Sequence, residues 1–231
     1  MKTFGGSSFT DSVPVPYLEG SPSARAPGLY ARFGKRLFDI ALALVLLPMI
    51  VPMIMVVWAL TRCDGGPGFY SQYRVGRNGR IFKCWKVRTM VMDAERILSE
   101  LCEKDPAIAE EWKTNQKLEN DPRITPVGKF LRMTSLDELP QIWNILVGDM
   151  SFIGPRPFMT SQDSLYRAAG GQAYFRLRPG LTGPWQVEGR GASTFADRVR
   201  FDEAYLARLS LKTDLRLVWL TVKVLLKGTG H

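Results

Sequence analysis

The sequence predicts a mostly helical α/β fold, with an N-terminal re-entrant membrane helix, a small cytoplasmic domain and interfacial amphipathic helices. Three observations carry this. An uncharged apolar run, Ile40 to Leu60, contains two prolines and has basic residues on both sides. Two short stretches alternate like strands on either side of a Gly-Arg-Asn-Gly turn. Beyond them, apolar residues recur at helical spacing and are punctuated by Pro and Gly.

Residues 1–31 are rich in Gly, Ser and Pro, with few aliphatics, and read as a disordered tail. Residues 32–61 are the membrane helix, whose apolar run is long enough to cross a bilayer. All-round hydrophobicity of that length is unusual for a core helix of a small domain. The long preceding tail argues against a cleaved signal peptide. Pro48 and Pro52 each remove a backbone donor near the centre and favour a kink. Arg32, Lys35 and Arg36 precede the run; Arg62, Arg74, Arg77 and Arg80 follow it. Basic flanks prefer the cytoplasmic side, which would hold both ends there. A helix that enters, breaks at Pro48 and Pro52 and returns satisfies both facts. A straight span is the alternative.

Residues 62–231 form the cytoplasmic domain. Phe69–Tyr73 and Ile81–Val87 are the strands, joined by the Gly76–Gly79 turn, in a segment where Asp64 is the one acid among many basic residues. Such a charge run is usually a solvated face, but beside a membrane segment it suits an interface or a phosphate. Residues 93–120 turn acidic and helical in pattern, with a break at Asp105-Pro106. Val127–Leu131 leads into an acidic pair, and Ile142, Trp143, Ile145 and Leu146 then predict a helix ending before Gly148. Arg178 through Gly183, then Trp185-Gln186-Val187 and Gly189-Arg190-Gly191, read as a Gly/Pro-punctuated loop of the kind that binds ligands. A mixed helix covers Phe195–Leu209. Leu215–Leu226 is strongly apolar with spaced cations, an interfacial amphipathic helix or a core helix.

The net charge of +9 calls for an anionic partner: nucleic acid, nucleotide phosphates or an acidic membrane face. The 3 cysteines form no C-x-x-C pair, so neither a disulfide frame nor a zinc site is suggested. The only histidine is the last residue, His231. Histidine-based triads, H-E-x-x-H sites and histidine general bases are thereby excluded together. Any chemistry falls to carboxylates and basic residues.

One stretch concentrates those groups: Ser135-Leu136-Asp137-Glu138-Leu139-Pro140-Gln141, with Lys129 and Arg132 before it and Arg156 after. Two readings stand. Ser135 as N-cap with Glu138 three residues on is a capping box. Alternatively, Asp137 is a nucleophile or one of a metal-bound acid pair, with arginines neutralising phosphate. Pro155-Arg156-Pro157 fixes the backbone around an arginine, which suits aiming its guanidinium at a phosphate, or is simply a rigid turn.

Four blocks together carry a family resemblance: Lys35–Asp39; Phe82–Met90; Ser135 through Gly148-Asp149-Met150-Ser151 to Pro157; and Arg178–Gly183 with Trp185–Val187. Over residues 32–228 the chain resembles the bacterial sugar transferases, the monotopic phosphoglycosyl transferases. It is most similar to the short enzymes that begin exopolysaccharide repeats with galactose or glucose 1-phosphate. The resemblance implies transfer of a sugar 1-phosphate from a UDP-sugar to undecaprenyl phosphate at the bacterial inner membrane, on its cytoplasmic face, with release of UMP. It implies a covalent phospho-aspartate on Asp137, with Glu138 associated with Mg²⁺. Arg132 and Arg156 are then expected phosphate contacts, with Lys86 and Arg88 as weaker ones. Arg178, Gln186, Arg190 and Asp202 are expected to face the sugar or nucleotide. Inner-membrane lipid and a second copy in a homodimer complete the expected partners; nucleic acid is not among them. Family members often break the membrane helix at Ser-Pro, whereas this chain has Val51-Pro52 with Pro48 upstream.

Two rival functions remain at this stage. A membrane-anchored basic adaptor would bind acidic lipid or nucleic acid without chemistry, and would leave the acidic pair as a capping box. An ordinary nucleotide-sugar glycosyltransferase would need an Asp-x-Asp metal motif, which the sequence lacks.

Overall fold

A computed structural model describes residues 28–115, 118–189 and 194–226. Helical winding begins at a π-turn over Tyr30–Gly34, slightly before the expected boundary, and continues as α1, Lys35–Arg62. Among the described residues it is the one helix long and apolar enough to cross a membrane. The helix is unbroken through Pro48 and Pro52, so the expected division into two segments at these prolines is not seen. A proline inside a helix removes one donor and need only bend it.

The buried positions of α1 are Asp39, Ala43, Ile50, Val57 and Thr61, a narrow stripe along the helix. Ala43 and Ile50 join the main core, and Val57 packs with Val87 and Leu131. The other faces expose Leu44, Val45, Met49, Met55 and Val56. The helix thus lies on the domain by one stripe and presents apolar side chains elsewhere.

The hairpin forms as expected, slightly longer on its first side: β1, Phe69–Val75, runs antiparallel to β2, Ile81–Val87, from Phe69 opposite Val87 to Val75 opposite Ile81. Asn78 and Gly79 supply the positive φ values, 58° and 75°, that the tight turn requires. On β2 the inward positions are Phe82, Cys84 and Lys86; the first two are buried in the core, and the third carries a charge toward the interior. Helices α2, Ala94–Lys104, and α3, Pro106–Asn115, meet at the expected Asp105-Pro106 break. Then come α4, Pro126–Met133, and α5, Gln141–Val147, which ends at Gly148 with φ 94°.

The block from Arg178 to Gly183 is not a free loop. Gly180–Thr182 is a strand that pairs in parallel with Ser151–Ile153. In chain order these are β3, Ser151–Ile153; α6, Asp163–Ala168; α7, Ala173–Arg176; and β4, Gly180–Thr182. The glycines are the reason: a Cβ on Gly154 would stand 2.3 Å from the Arg178 carbonyl oxygen, so only glycine permits the approach. Two last helices follow, α8, Arg198–Ala207, and α9, Leu211–Leu226. Helix α9 buries Asp214 and Leu217 while exposing Leu211, Leu215, Trp219 and Val222.

Candidate active site

The acidic pair lies on one 3-10 turn, Leu136–Glu138, between α4 and α5. Helix α4 starts at Thr125, whose Oγ1 accepts from the Gly128 amide at 2.9 Å, with Pro126 in the first turn. It ends where Ser135 turns left-handed at φ 58°. Ser135 therefore makes no side-chain cap, and the expected capping box does not form. A cap residue needs extended backbone to aim its hydroxyl at the next turn, and the left-handed geometry forbids that. The capping explanation of the two acids falls with it.

What the turn does instead is point Asp137 inward, 7% exposed, toward β2. Lys86 Nζ lies 2.7 Å from Glu138 Oε1 and 3.5 Å from Asp137 Oδ2. Asn144 fixes that spacing. Its amide donates to the Lys83 carbonyl at 2.7 Å and accepts from the Trp85 amide at 3.1 Å, fastening α5 to the edge of β2. Burial pushes the Asp137 carboxyl above its ordinary range, with Lys86 opposing and Glu138 adding to the rise. Arg132, exposed, donates its Nε to Thr89 Oγ1 at 2.9 Å and brings its charge within range of Asp137.

Arg156 Nη2 lies 3.6 Å from Glu138 Oε1. The β3–β4 pairing positions it: the Pro155 carbonyl accepts from Gly180 N at 2.8 Å, so the fourth sequence block holds the Pro-Arg-Pro turn in place. The structure thus gathers Asp137, Glu138, Lys86, Arg132 and Arg156.

Two expected contacts are committed elsewhere. Arg88 is buried with all five donors engaged: Pro67, Thr61 and Met90 carbonyls and both Asp64 oxygens accept from it. It fastens the C-terminal end of α1 and has no donor left for a phosphate. Arg178 donates to the Gly148 carbonyl at 2.9 Å, at the far end of α5 from the acids, where Arg36 also donates to the Ile145 and Leu146 carbonyls. Both arginines complete a helix terminus.

Asp202 is interior, accepting from the Tyr166 hydroxyl at 2.8 Å, and burial pushes its carboxyl up to about 7. Gln186 is buried on the π-turn Trp185–Gly189, with neither amide atom hydrogen-bonded among the described residues. Arg190 lies outside the described residues. Sequence reasoning missed Arg198. Its guanidinium lies 4.0 Å from the Trp185 ring centre and 4.7 Å from that of Phe195, within electrostatic range of Arg156, Asp202 and Arg74. No motif marks it; the aromatic residues on either side in sequence are the only signal.

The bacterial sugar transferase profile matches residues 30–228, which includes every element of this site. The chain belongs to the bacterial sugar transferase family. Among its relatives, ExoY, an exopolysaccharide production protein of Sinorhizobium fredii, is 45% identical over 197 residues, covering 85% of this chain and 87% of ExoY. The undecaprenyl-phosphate galactose phosphotransferase of Salmonella typhimurium is 44% identical over 201 residues, 87% of this chain. The UDP-glucose:undecaprenyl-phosphate glucose-1-phosphate transferase of Klebsiella pneumoniae is 37% identical over 220 residues, 92% of this chain. This sugar transferase chain spans only 42% and 43% of the length of those last two relatives.

Among the described residues no group of three or more His, Cys, Asp and Glu side chains could hold a metal. Glu138, the residue expected to associate with Mg²⁺, stands beside Asp137 on the same turn. A magnesium ion bound through one or two carboxylates and completed by substrate phosphates and water fits that pair.

Proposed function

We propose that this chain transfers a sugar 1-phosphate from a UDP-sugar, with galactose or glucose as the sugar, to undecaprenyl phosphate. The observation that carries the reading is Asp137: a buried carboxyl raised in pKa, beside a second acid, with Lys86, Arg132 and Arg156 around it. A carboxylate oxygen of Asp137 attacks the phosphorus that bears the sugar. The bond from that phosphorus to the bridging oxygen breaks, and UMP leaves with the electron pair. An undecaprenyl phosphate oxygen then attacks the phospho-aspartate, and the Asp137 carboxylate is restored. An anion attacking an anion needs its charge neutralised, and the surrounding cations supply that without proton transfer from a histidine. Glu138 would hold Mg²⁺, which when bound stabilises charge on the phosphate oxygens. The names of the relatives from Salmonella and Klebsiella support this substrate class.

The test is UMP release from UDP-glucose and UDP-galactose with undecaprenyl phosphate and Mg²⁺. The wild type should release UMP from one of them, and Asp137→Asn should lower the rate by a factor on the order of 10³ or more. Chelation should abolish it. No release from any UDP-sugar overturns the proposal.

The placement of both ends of α1 on the cytoplasmic side is part of the same proposal. A straight helix of 28 residues rises about 42 Å, more than a hydrocarbon core. Yet both ends of α1 dock on one domain: Arg36 donates to α5 carbonyls, and the Thr61 carbonyl accepts from Arg88. A domain on the cytoplasmic face cannot hold both ends of a full span. The exposed apolar stripe of α9 would lie in the same interface. An impermeant thiol reagent applied outside spheroplasts should leave both native Cys63, which is exposed, and an Arg32→Cys variant unlabelled. Labelling of the Arg32→Cys position alone would establish a span instead.

A further inference from the structure

We propose that Arg198 is a second phosphate-binding guanidinium of this site, taking the uridine-side phosphate of the UDP-sugar. The inference rests on the transfer proposed above and adds a residue and a subsite to it. Two buried arginines with a structural task are well supplied with acceptors. Arg88 has five, and Arg123 makes a bidentate pair with Asp121 at 2.8 and 2.6 Å. Arg198 is different. Its plane is held against Trp185 and near Phe195, and its buried Nε has no hydrogen-bond partner among the described residues.

Its neighbours are mostly of its own sign. Arg156 and Arg74 both lower its pKa, after burial, to about 10, and Asp202 opposes them from the interior. Arg74 in turn is influenced by Arg156 and Glu138. Holding several half-buried guanidiniums near one another costs free energy that a bound polyanion offsets. The cluster also has an order. Lys86 lies 3.5 Å from Asp137 and Arg156 lies 3.6 Å from Glu138; two residues past Arg156, the Phe158 ring stands 5.9 Å from that of Phe195, which lies against Arg198. A nucleoside diphosphate has two phosphates joined by one oxygen. With the sugar-bearing phosphorus at Asp137, the second phosphate reaches past Arg156 toward Arg198. Stacking against two rings keeps the fork flat and pre-oriented, so little entropy is lost when it binds.

The test compares Arg198→Met, which keeps an unbranched stem between the rings, with Arg198→Lys, which keeps the charge. Titration of UDP into the full chain without acceptor should show affinity about 10- to 150-fold weaker for Arg198→Met, with partial recovery in Arg198→Lys. KM for the UDP-sugar should rise in parallel and kcat should fall with it, since UMP leaves with its new charge on that phosphate, while the KM for undecaprenyl phosphate stays within about threefold of wild type. Unchanged UDP affinity in Arg198→Met overturns the assignment. So does a loss confined to the KM for undecaprenyl phosphate, which would make Arg198 a contact of the lipid phosphate. UDP titration reads the Arg198 contact whether or not the sugar phosphate is transferred, so failure of the transfer and failure of this subsite are separable.

Discussion

The protein contains two clusters of buried charge, and they are built on opposite plans. The first lies at the start of α1. Lys35 stands 2.7 Å from Asp214 and 3.4 Å from Asp39, and both acids are fully buried. The Tyr30 and Tyr205 hydroxyls each donate to Asp214 at 2.6 Å, and the Ser151 hydroxyl and Phe152 amide donate to Asp39 at 2.9 and 3.1 Å. Segments far apart in sequence are tied by short bonds around one cation. The second cluster is the Asp137–Glu138 pair, where the contacts are cationic and mostly longer, and the side chains of Lys86 and Arg156 are 27% and 32% exposed. The first arrangement joins α1 to the domain and buries both acids completely. The second is open on one side and has cations in excess, as the proposed phosphate site requires.

The comparison is tested most severely by removing the central lysine from each cluster. Lys35→Met leaves two buried carboxylates without a cation, at a cost of about 3–5 kcal/mol. The melting temperature should fall by about 6–20 °C for a domain of this size. Lys86→Met should do the reverse: UMP release falls about 100-fold, and melting moves by no more than about 3 °C, because the site is partly solvated. Differential scanning of both variants in one detergent, with a UMP assay alongside, decides the matter. Equal melting losses would mean that the second cluster is structural too, and the contrast would be lost.

The same contrast explains what the sequence reveals and what it hides. The hairpin, the Asp105-Pro106 break, the end of α5 at Gly148 and the apolar run are local patterns, and all are readable from spacing. Asp137 and Glu138 stand out because acids among bases are rare. Local pattern fails wherever a residue's partner is distant. Arg88 looks like part of a basic face, but its acceptors are carbonyls of Thr61, Pro67 and Met90 and the acid Asp64, brought round by the turn after α1. The glycines of Gly180–Gly183 look like loop signals and instead allow β4 to touch the Gly154 backbone. Ser135 matches a cap by spacing and is excluded by one left-handed dihedral. Arg198 has no motif, since its surroundings are assembled from three separate elements.

The most narrowly confined effect, visible only across one pH window, concerns Asp202, which lies one helical turn from Arg198 and shares features of both plans: it is buried like Asp39 yet adjoins the open cluster. Burial raises its carboxyl from 3.8 to about 7, with the Tyr166 hydroxyl and Arg198 opposing. Below pH about 4 both folded and unfolded chains carry the proton, and the group is neutral toward stability. Between about 4 and 7 the unfolded chain has released a proton that the folded chain keeps, so stability falls as pH rises through that window. Asp202→Asn keeps an acceptor for Tyr166 and removes the titration. Its melting temperature, followed from pH 4 to 8, should lose this downward slope and exceed the wild type most clearly at the alkaline end. If the slope survives, another group carries it. Asp202 would then be held ionised by Arg198 at every pH in the range, which would bind the two residues into a closed pair and weaken the case for Arg198 as a free phosphate donor.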